Sequence, residues 1–172
     1  MKVYKIFETQ RLIIRPTSIE DKDFIFELLN SPKWLRFIGD RNIKSSTDAE
    51  NYIVNRMLPQ LEKLGFSNNT IIRKEDGMKI GTCGLYDREG LDEVDIGFAF
   101  LPEYENMGYA FEATSALKKA AKDEFELSKL SAITLEENKS SRKLLEKLEF
   151  EFIEKIRLPE DPDELMLYSL KL

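Results

Sequence analysis

The sequence contains no histidine and a single cysteine, Cys83. Catalysis by a Ser-His or Cys-His pair is therefore excluded, because both need an imidazole as the base. Most zinc sites are excluded as well, since histidine and paired cysteines are the usual zinc ligands, and we predict no bound metal. An internal disulfide needs two cysteines, so we expect Cys83 to be a small core residue.

Long apolar runs are also missing. No stretch approaches the ~20 consecutive apolar residues that a membrane-spanning helix requires, and the first ten residues alternate charged and apolar side chains, unlike a signal peptide. We therefore expect a cytoplasmic protein without a membrane partner. The formal net charge of -6 argues against nucleic-acid binding, which needs a basic face. The same acidity either favours a cationic acceptor or reflects solubility alone.

The chain has the length and apolar content of one domain. Its 172 residues are 42% apolar, which is enough for one substantial core. Neither a repeat nor a linker-like tract divides it, so we predict a single domain over residues 1–172.

Hydrophobic periodicity predicts an α/β order of elements. The predicted strands cover residues 12–15, 70–73, 79–86, 93–100, 129–135, 150–157 and 165–172. Four helices are predicted. The first contains Phe24 to Leu29, and the second runs from Thr47 to about Leu64. The third has apolar residues from Ala110 to Phe125 on one face, and the fourth spans about Ser140 to Leu148. In the second helix, Thr47 and Glu50 resemble a capping box, Pro59 should introduce a kink and Gly65 should end the helix.

A strand, a break at Pro102, a tight turn and a helix start follow one another between Asp95 and Ala113. Unpaired amides at a helix N-terminus suit phosphate oxygens, and Gly108 leaves the backbone open to close approach. The sequence therefore predicts an anion site around Gly108. By itself, such a glycine is also compatible with a plain structural turn.

Further segments point to one family. Gly108-Tyr-Ala-Phe-Glu-Ala113 is followed by Asn138-Lys-Ser-Ser141, and the chain also contains Arg11-Leu-Ile-Ile-Arg15, Trp34-Leu-Arg-Phe-Ile-Gly39 and Ile80-Gly-Thr-Cys-Gly84. With these segments the chain resembles the GNAT superfamily of N-acetyltransferases, in the branch of the ribosomal-protein-alanine acetyltransferases. The resemblance extends from Arg11 to Phe150.

The resemblance implies an α/β (α+β) fold with a mixed, mostly antiparallel, seven-stranded sheet and about four flanking helices. Its fourth and fifth strands, here residues 93–101 and 129–135, would splay apart to admit coenzyme A (CoA). It also implies acetyl-CoA as the acyl-donor cosubstrate and an amine acceptor, either a protein N-terminus or a small molecule. A catalytically silent acyl-CoA-binding module is the alternative. A monomer and a homodimer are both compatible with the sequence.

The resemblance also assigns residues to the cosubstrate. Backbone amides of the turn would hold the pyrophosphate, main-chain groups of the preceding strand would pair with the pantetheine amides, and the next helix start would hold the pantetheine arm. The turn amides are those of Met107, Gly108, Tyr109 and Ala110. The strand groups are those of Phe98, Ala99, Phe100 and Leu101, and the helix start contributes Asn138 and Ser141.

The chain departs from the family pattern at three positions. Glu105 replaces the usual Arg or Gln, and Asn106 and Glu149 each replace a usual Gly. A carboxylate beside a diphosphate is unfavourable unless it points into solvent. Asn106 is a mild change, because asparagine tolerates a positive φ better than most residues.

Candidate catalytic residues follow from the same resemblance. Asp95 matches an acidic residue of this branch and is our candidate general base, with Glu93 two residues away on the same predicted strand; both are otherwise solvated carboxylates. The family's usual tyrosine acid is replaced by Leu145, so Ser141 is the best candidate acid, although it also suits helix capping. Lesser candidates are Tyr104, Tyr109 and Tyr168.

The acceptor should enter opposite the cosubstrate, beside the first two predicted helices and the loop between them. Trp34, Arg36 and Phe37 lie in that predicted loop and are our candidate acceptor-binding residues. The two aromatic side chains would serve equally well as a lid over the core.

Overall fold

One mixed sheet forms the centre of the molecule. The structure is a computed structural model that describes residues 2–159 and 161–172, and in these residues eight strands pair in the order β1-β2-β3-β4-β5-β6-β8-β7. The strands are β1 (Phe7–Glu8), β2 (Leu12–Pro16), β3 (Asn68–Arg73), β4 (Lys79–Tyr86), β5 (Asp95–Phe100), β6 (Lys129–Thr134), β7 (Glu151–Ile156) and β8 (Leu165–Lys171). All neighbours are antiparallel except β5 and β6, which run parallel.

Helices cover both faces of this sheet. Within the described ranges there are six α-helices: α1 (Lys22–Leu29), α2 (Pro32–Phe37), α3 (Ser46–Tyr52), α4 (Leu58–Leu64), α5 (Tyr109–Asp123) and α6 (Lys139–Lys147). A π-helical segment, Ile53–Met57, joins α3 to α4, and short 3-10 turns lie at Ile19–Asp21 and Pro102–Tyr104.

The predicted fold is confirmed, with small differences in the counts. The sheet has eight strands rather than seven, because β1 contains two residues and gives no alternation signal. The region expected to be a loop around Trp34 contains α2, whose six residues are too few for a helical period. β5 begins at Asp95, so the prediction that Glu93 lies in this strand is wrong.

The second predicted helix is interrupted rather than simply kinked. Its cap is Ser45, whose side chain accepts from the Asp48 amide, and not Thr47. The π-helical segment lies just before Pro59, which has no N–H to give to the carbonyl one turn back and crowds it, so the helix widens there. The predicted end is confirmed, since Gly65 adopts φ 83° at the C-cap.

Two hydrophobic clusters pack on opposite faces of the sheet. The first contains Ile96 and Phe100 of β5 together with Ala113 and Leu117 of α5. The second lies under α1 to α4 and includes Leu101, with Ala99 packed against it. Because side chains alternate along a strand, Asp95 and Gly97 lie on the α1 to α4 face with Ala99.

Asp21 is the best-connected buried charge on that face. It is fully buried, accepts two hydrogen bonds of 2.8 Å from Arg15 and one of 3.0 Å from Thr70, and lies 2.7 Å from Lys79 Nζ. Burial by itself raises the pKa of Asp21, but the bonds from Arg15 and Lys79 outweigh it and hold the pKa well below the ordinary value.

No helix in the described part of the chain is long and apolar enough to cross a bilayer.

Replacing Asp21 tests whether these contacts stabilise the fold. We expect Asp21→Asn to lower the free energy of unfolding at pH 7 by about 3 kcal/mol, because it leaves Arg15 and Lys79 without their shared anion. The folded pKa lies below the unfolded value of about 3.9, so ionised Asp21 stabilises the protein above about pH 4 and loses this effect as the pH falls further. Urea unfolding at pH 7 and pH 3 measures both.

Asp123→Asn is the matched control, because Asp123 forms an exposed ion pair with Lys119 one helical turn away. It should leave the unfolding midpoint unchanged. Equal effects of the two substitutions would contradict the importance of the Asp21 contacts.

Candidate functional site

An opening between β5 and β6 defines the candidate site. In the described residues the two strands pair at Asp95 and Ser131 alone, where the Ser131 amide donates 2.9 Å to the Val94 carbonyl. β5 then continues for five residues, about 17 Å at the usual rise, without further pairing to β6 in the part of the chain that the structure describes. The predicted splay of these strands is therefore confirmed.

The register of β5 decides which main-chain groups face this opening. The Leu101 amide donates 3.0 Å to the Ile80 carbonyl of β4, and the Leu101 carbonyl accepts from Tyr104. Because hydrogen-bonding direction alternates along a strand, Ala99 also faces β4, whereas Phe98 and Phe100 present their N–H and C=O groups to the opening. Of the four residues predicted to offer main-chain groups to the cosubstrate, Ala99 and Leu101 therefore direct these groups away from the opening.

The turn before α5 presents a row of free amides. Asn106 and Gly108 have positive φ angles of 61° and 82°, and α5 begins directly after Gly108. Across residues 2–159 and 161–172, the amides of Met107, Gly108, Tyr109 and Ala110 donate no hydrogen bond. Free amides backed by a helix dipole form an anion site, so this turn suits a phosphate group.

Arg11 braces the same turn from the edge of the sheet. Its Nη1 donates 3.0 Å to the Met107 carbonyl, its Nε donates 2.7 Å to Glu112 Oε2, and its guanidinium stacks 4.3 Å from the centre of the Tyr109 ring. Tyr109 itself is buried in the core. Arg11 and the buried Tyr109 therefore anchor both ends of the turn.

Glu105 does not point freely into solvent. Its carboxylate lies 2.5 Å from Lys33 Nζ, and its side chain is 20% exposed. Lys33 belongs to α2, so the helix beside the turn provides the partner charge.

Asp95 lies at the point where the opening begins. It is buried, and Arg88 Nε donates 3.2 Å to Oδ1. Burial raises the pKa of Asp95 above its ordinary value, and the charge and hydrogen bond of Arg88 offset this in part. Glu93 lies in the bend before β5, outside any strand.

Tyr86 covers Gly97, two residues after Asp95. A Cβ at Gly97 would lie 3.0 Å from the Tyr86 ring, and the Tyr86 hydroxyl donates 2.5 Å to Asn68 Oδ1. Asn68 donates in turn to Thr17, whose hydroxyl lies 2.8 Å from that of Thr70. This chain of polar contacts holds the Tyr86 ring against the sheet.

Ser141 lies in the first turn of α6, on the other side of the opening. Asn138 Oδ1 accepts from the Ser141 amide at 3.3 Å, so Asn138 is the N-cap of α6. Ser141 is half-buried, whereas Ser140 is exposed and donates 3.3 Å to Asn138. Leu145 packs in the core.

A cavity of about 270 Å³ opens on the side of α2. Arg36 and Phe37 of α2, Leu135 and Glu137 after β6, and Asp163 between β7 and β8 line it. Trp34 packs instead against the cluster under α1 to α4. Of the three acceptor candidates, the structure brings Arg36 and Phe37 to a cavity and places Trp34 as a lid over the core.

The remaining candidates are core residues. Tyr109 and Tyr168 are buried, and Tyr104 packs between the clusters. Cys83 is fully buried, which confirms it as a core residue, and this burial raises the pKa of its thiol to about 12.

Sequence reasoning missed residues whose partners are distant in the chain. Arg11 and Glu112 are 101 positions apart, and Lys33 and Glu105 are 72 apart. Asp163 is likewise distant in the sequence from the other residues that line the cavity beside α2. Glu105 was the one sequence feature that indicated such a partner, because an acidic residue in a turn predicted to bind an anion needs a compensating cation nearby.

Comparisons with known sequences agree on one family. The acetyltransferase (GNAT) domain family matches residues 11–151. The uncharacterized N-acetyltransferase YoaA of Bacillus subtilis is 28% identical over 150 residues, covering 87% of this chain and 84% of YoaA. The uncharacterized N-acetyltransferase p20 of Bacillus licheniformis is 29% identical over 146 residues, covering 83% of this chain and 80% of p20.

Solved structures share the fold. An acetyltransferase from Agrobacterium tumefaciens matches with a TM-score of 0.83 at 22% identity, covering 100% of this chain and 97% of that protein. The ribosomal-protein-S5-alanine acetyltransferase of Vibrio fischeri matches with a TM-score of 0.80 at 16% identity, covering 97% and 96%. At these identities the likeness shows the fold alone.

The Asp95–Arg88 pair gives a prediction about titration. We expect Arg88→Gln to raise the pKa of Asp95 further, because it removes the neighbouring charge and hydrogen bond that lower it. The carboxyl carbon chemical shift, followed by NMR between pH 3 and pH 9, measures this value. Arg157→Gln removes an exposed arginine that contacts the Pro162 carbonyl, and it should leave the titration of Asp95 unchanged. An identical curve in Arg88→Gln would contradict the role given to Arg88.

Proposed function

The chain belongs to the GNAT acetyltransferase family and is an acyltransferase, and on that basis we propose that it transfers an acetyl group from acetyl-CoA to a primary amine. The acceptor is a protein N-terminus or a small-molecule amine. Transfer is direct, from donor to acceptor within one ternary complex. We further propose that residues 1–172 act as a single N-acetyltransferase domain.

The opening between β5 and β6, with free amides at its end, carries this proposal. The amides of Met107, Gly108, Tyr109 and Ala110 fit a pyrophosphate, and the free edge of β5 at Phe98 and Phe100 fits the amides of a pantetheine arm. Asn138 and Ser141 border the other side of the opening. These groups match an acyl-CoA in charge and in hydrogen-bonding pattern.

The chemistry needs a neutral amine and a leaving thiol. The amine nitrogen bonds to the acyl carbon, the carbon–sulfur bond breaks, and the proton lost by the nitrogen is balanced by one gained at the sulfur. An α-amino group, with a pKa of about 7.7 to 8.0, supplies neutral amine more readily than a lysine at about 10.4. Holding both reactants side by side provides much of the acceleration.

We assign Asp95 as the base and Ser141 as the proton donor. Asp95 lies on the face of the sheet that α1 to α4 cover, and burial raises its pKa, which makes it a stronger base. Glu93 has no such support, since it lies outside the strand. Ser141 lies in the first turn of α6 with a half-buried side chain, and its hydroxyl would protonate the leaving sulfur.

We assign the cavity beside α2 to the acceptor. Glu137 and Asp163 provide carboxylates for an ammonium group, and Phe37 provides an aromatic surface for a carbon chain. Arg36 stacks 4.6 Å from the centre of the Phe37 ring, which orients both side chains at the rim.

The proposed activity predicts thiol release from acetyl-CoA that depends on an added amine. Peptides with free N-termini, polyamines, amino acids and aminoglycosides form a suitable panel, read by a thiol reagent and by product mass. Release at the background rate with every amine, despite tight acetyl-CoA binding, would contradict transfer and favour a silent binding module.

The turn around Gly108 is tested by a pair of glycine substitutions. Gly108→Ala should weaken acetyl-CoA binding about tenfold, because its methyl group crowds Arg11 and strains the positive φ that aims the amides. Gly77→Ala is the matched control, since Gly77 has a φ of 73° with nothing within 4 Å of its Cβ position. It should lower stability without changing acetyl-CoA affinity, as measured by calorimetry.

The role of Ser141 is tested against its neighbour. Ser141→Ala should lower the transfer rate about tenfold to a hundredfold with little effect on acetyl-CoA affinity, because it removes a proton donor for the thiolate and Asn138 would still hold the pantetheine arm. Ser140→Ala, which also removes a hydroxyl in the first turn of α6, should retain wild-type turnover. Wild-type turnover in Ser141→Ala would contradict the proposed role of Ser141 as the proton donor.

A further inference from the structure

The turn before α5 contains an anion where an anionic ligand should bind. Glu105 lies three residues before Gly108, and its side chain is largely buried against α2. A carboxylate this close to a diphosphate repels it, and partial burial reduces the screening by solvent. The turn therefore needs a nearby cation in order to accept a phosphate group.

Arg11 does not meet this need by itself. Its guanidinium approaches within 3.3 Å of the Gly108 Cβ position, but its charge is paired with Glu112 at 2.7 Å. Arg73 is likewise paired with Asp76. These two cations are thus balanced by their own partners, and the charge of Glu105 is left for another residue to balance.

Lys33 is that residue. Its Nζ lies 2.5 Å from Glu105 Oε2, and its side chain is 50% exposed, so the ammonium can keep this contact and still meet a ligand. Arg11 pairs with Glu112 and Lys33 pairs with Glu105, so each of these two carboxylates has its own cation. Without Lys33 the charge of Glu105 is unpaired and the turn is more negative by one charge.

We propose that Lys33 is a positioning residue for acetyl-CoA: through Glu105 it neutralises the turn, so that the free amides bind the pyrophosphate. The role rests on the proposed function. It assigns a part of the cosubstrate site to α2, a helix otherwise associated with the acceptor cavity.

Four variants test this assignment by calorimetric titration with acetyl-CoA in the absence of amine. Lys33→Gln should weaken binding about threefold to tenfold, and Glu105→Gln should tighten it. The double variant Lys33→Gln with Glu105→Gln should return to within about twofold of wild type, because the net charge of the turn is restored. Lys33→Arg should retain wild-type affinity, and Lys63→Gln, an exposed lysine at the end of α4, is the matched control.

A donor without phosphates separates charge from structure. S-acetylpantetheine contains the thioester arm and no diphosphate, so Lys33→Gln should leave its kcat/KM unchanged. A merely structural role for Lys33 would impair both donors equally. Raising the salt concentration should shrink the difference between wild type and Lys33→Gln for acetyl-CoA.

The outcomes distinguish this role from the proposed function. If Lys33→Gln binds acetyl-CoA as tightly as wild type does, the role of Lys33 is wrong while the proposed function stands. The same holds if Lys33→Gln lowers kcat/KM equally for acetyl-CoA and for S-acetylpantetheine. If wild type binds no acetyl-CoA, the proposed function fails and the role fails with it.

Discussion

The pairing of β5 with β6 at Asp95 and Ser131 is the constraint on which the site depends. Because the strands separate directly after this pair, the edge of β5 keeps free hydrogen-bonding groups inside the sheet, where such groups are normally satisfied. The same divergence places the free amides before α5 at one side of the opening and the start of α6 at the other. If β5 and β6 were paired along their full length, the two strands would fill the space proposed for the acyl donor.

The two faces of the sheet differ in the polarity of their buried residues. The face toward α5 is a continuous apolar cluster, whereas the face toward α1 to α4 contains buried polar residues, among them Asp21, Asn68, Thr70 and Asp95. Buried polar groups cost free energy unless they are paired. Asp21 contacts Arg15 of β2, Thr70 of β3 and Lys79 of β4. Asn68 of β3 pairs with Tyr86 of β4, and Asp95 pairs with Arg88 in the loop before β5. These pairings require one register of β2 to β5, so the polar face fixes the strands beside which the proposed chemistry takes place.

Local patterns in the sequence predicted most of this architecture. Strand alternation, the Gly65 cap and the order of strand, turn and helix around Gly108 are set by neighbouring residues, and all were confirmed. The short elements β1 and α2 left no periodic signal. The direction of the Ala99 and Leu101 main chain depends on register with β4, and the partners of Glu105 and Asp95 depend on contacts between distant segments. Such information becomes visible once the sheet is assembled.

Helix α2 carries a further consequence. Through Lys33 its first turn touches the turn proposed to bind phosphate, and its last residues, Arg36 and Phe37, border the cavity proposed for the acceptor about 6 Å further along the axis. One six-residue helix therefore borders both proposed sites. A displacement of α2 by either ligand would alter the binding of the other, and because linkage is reciprocal the two affinities would change by the same factor.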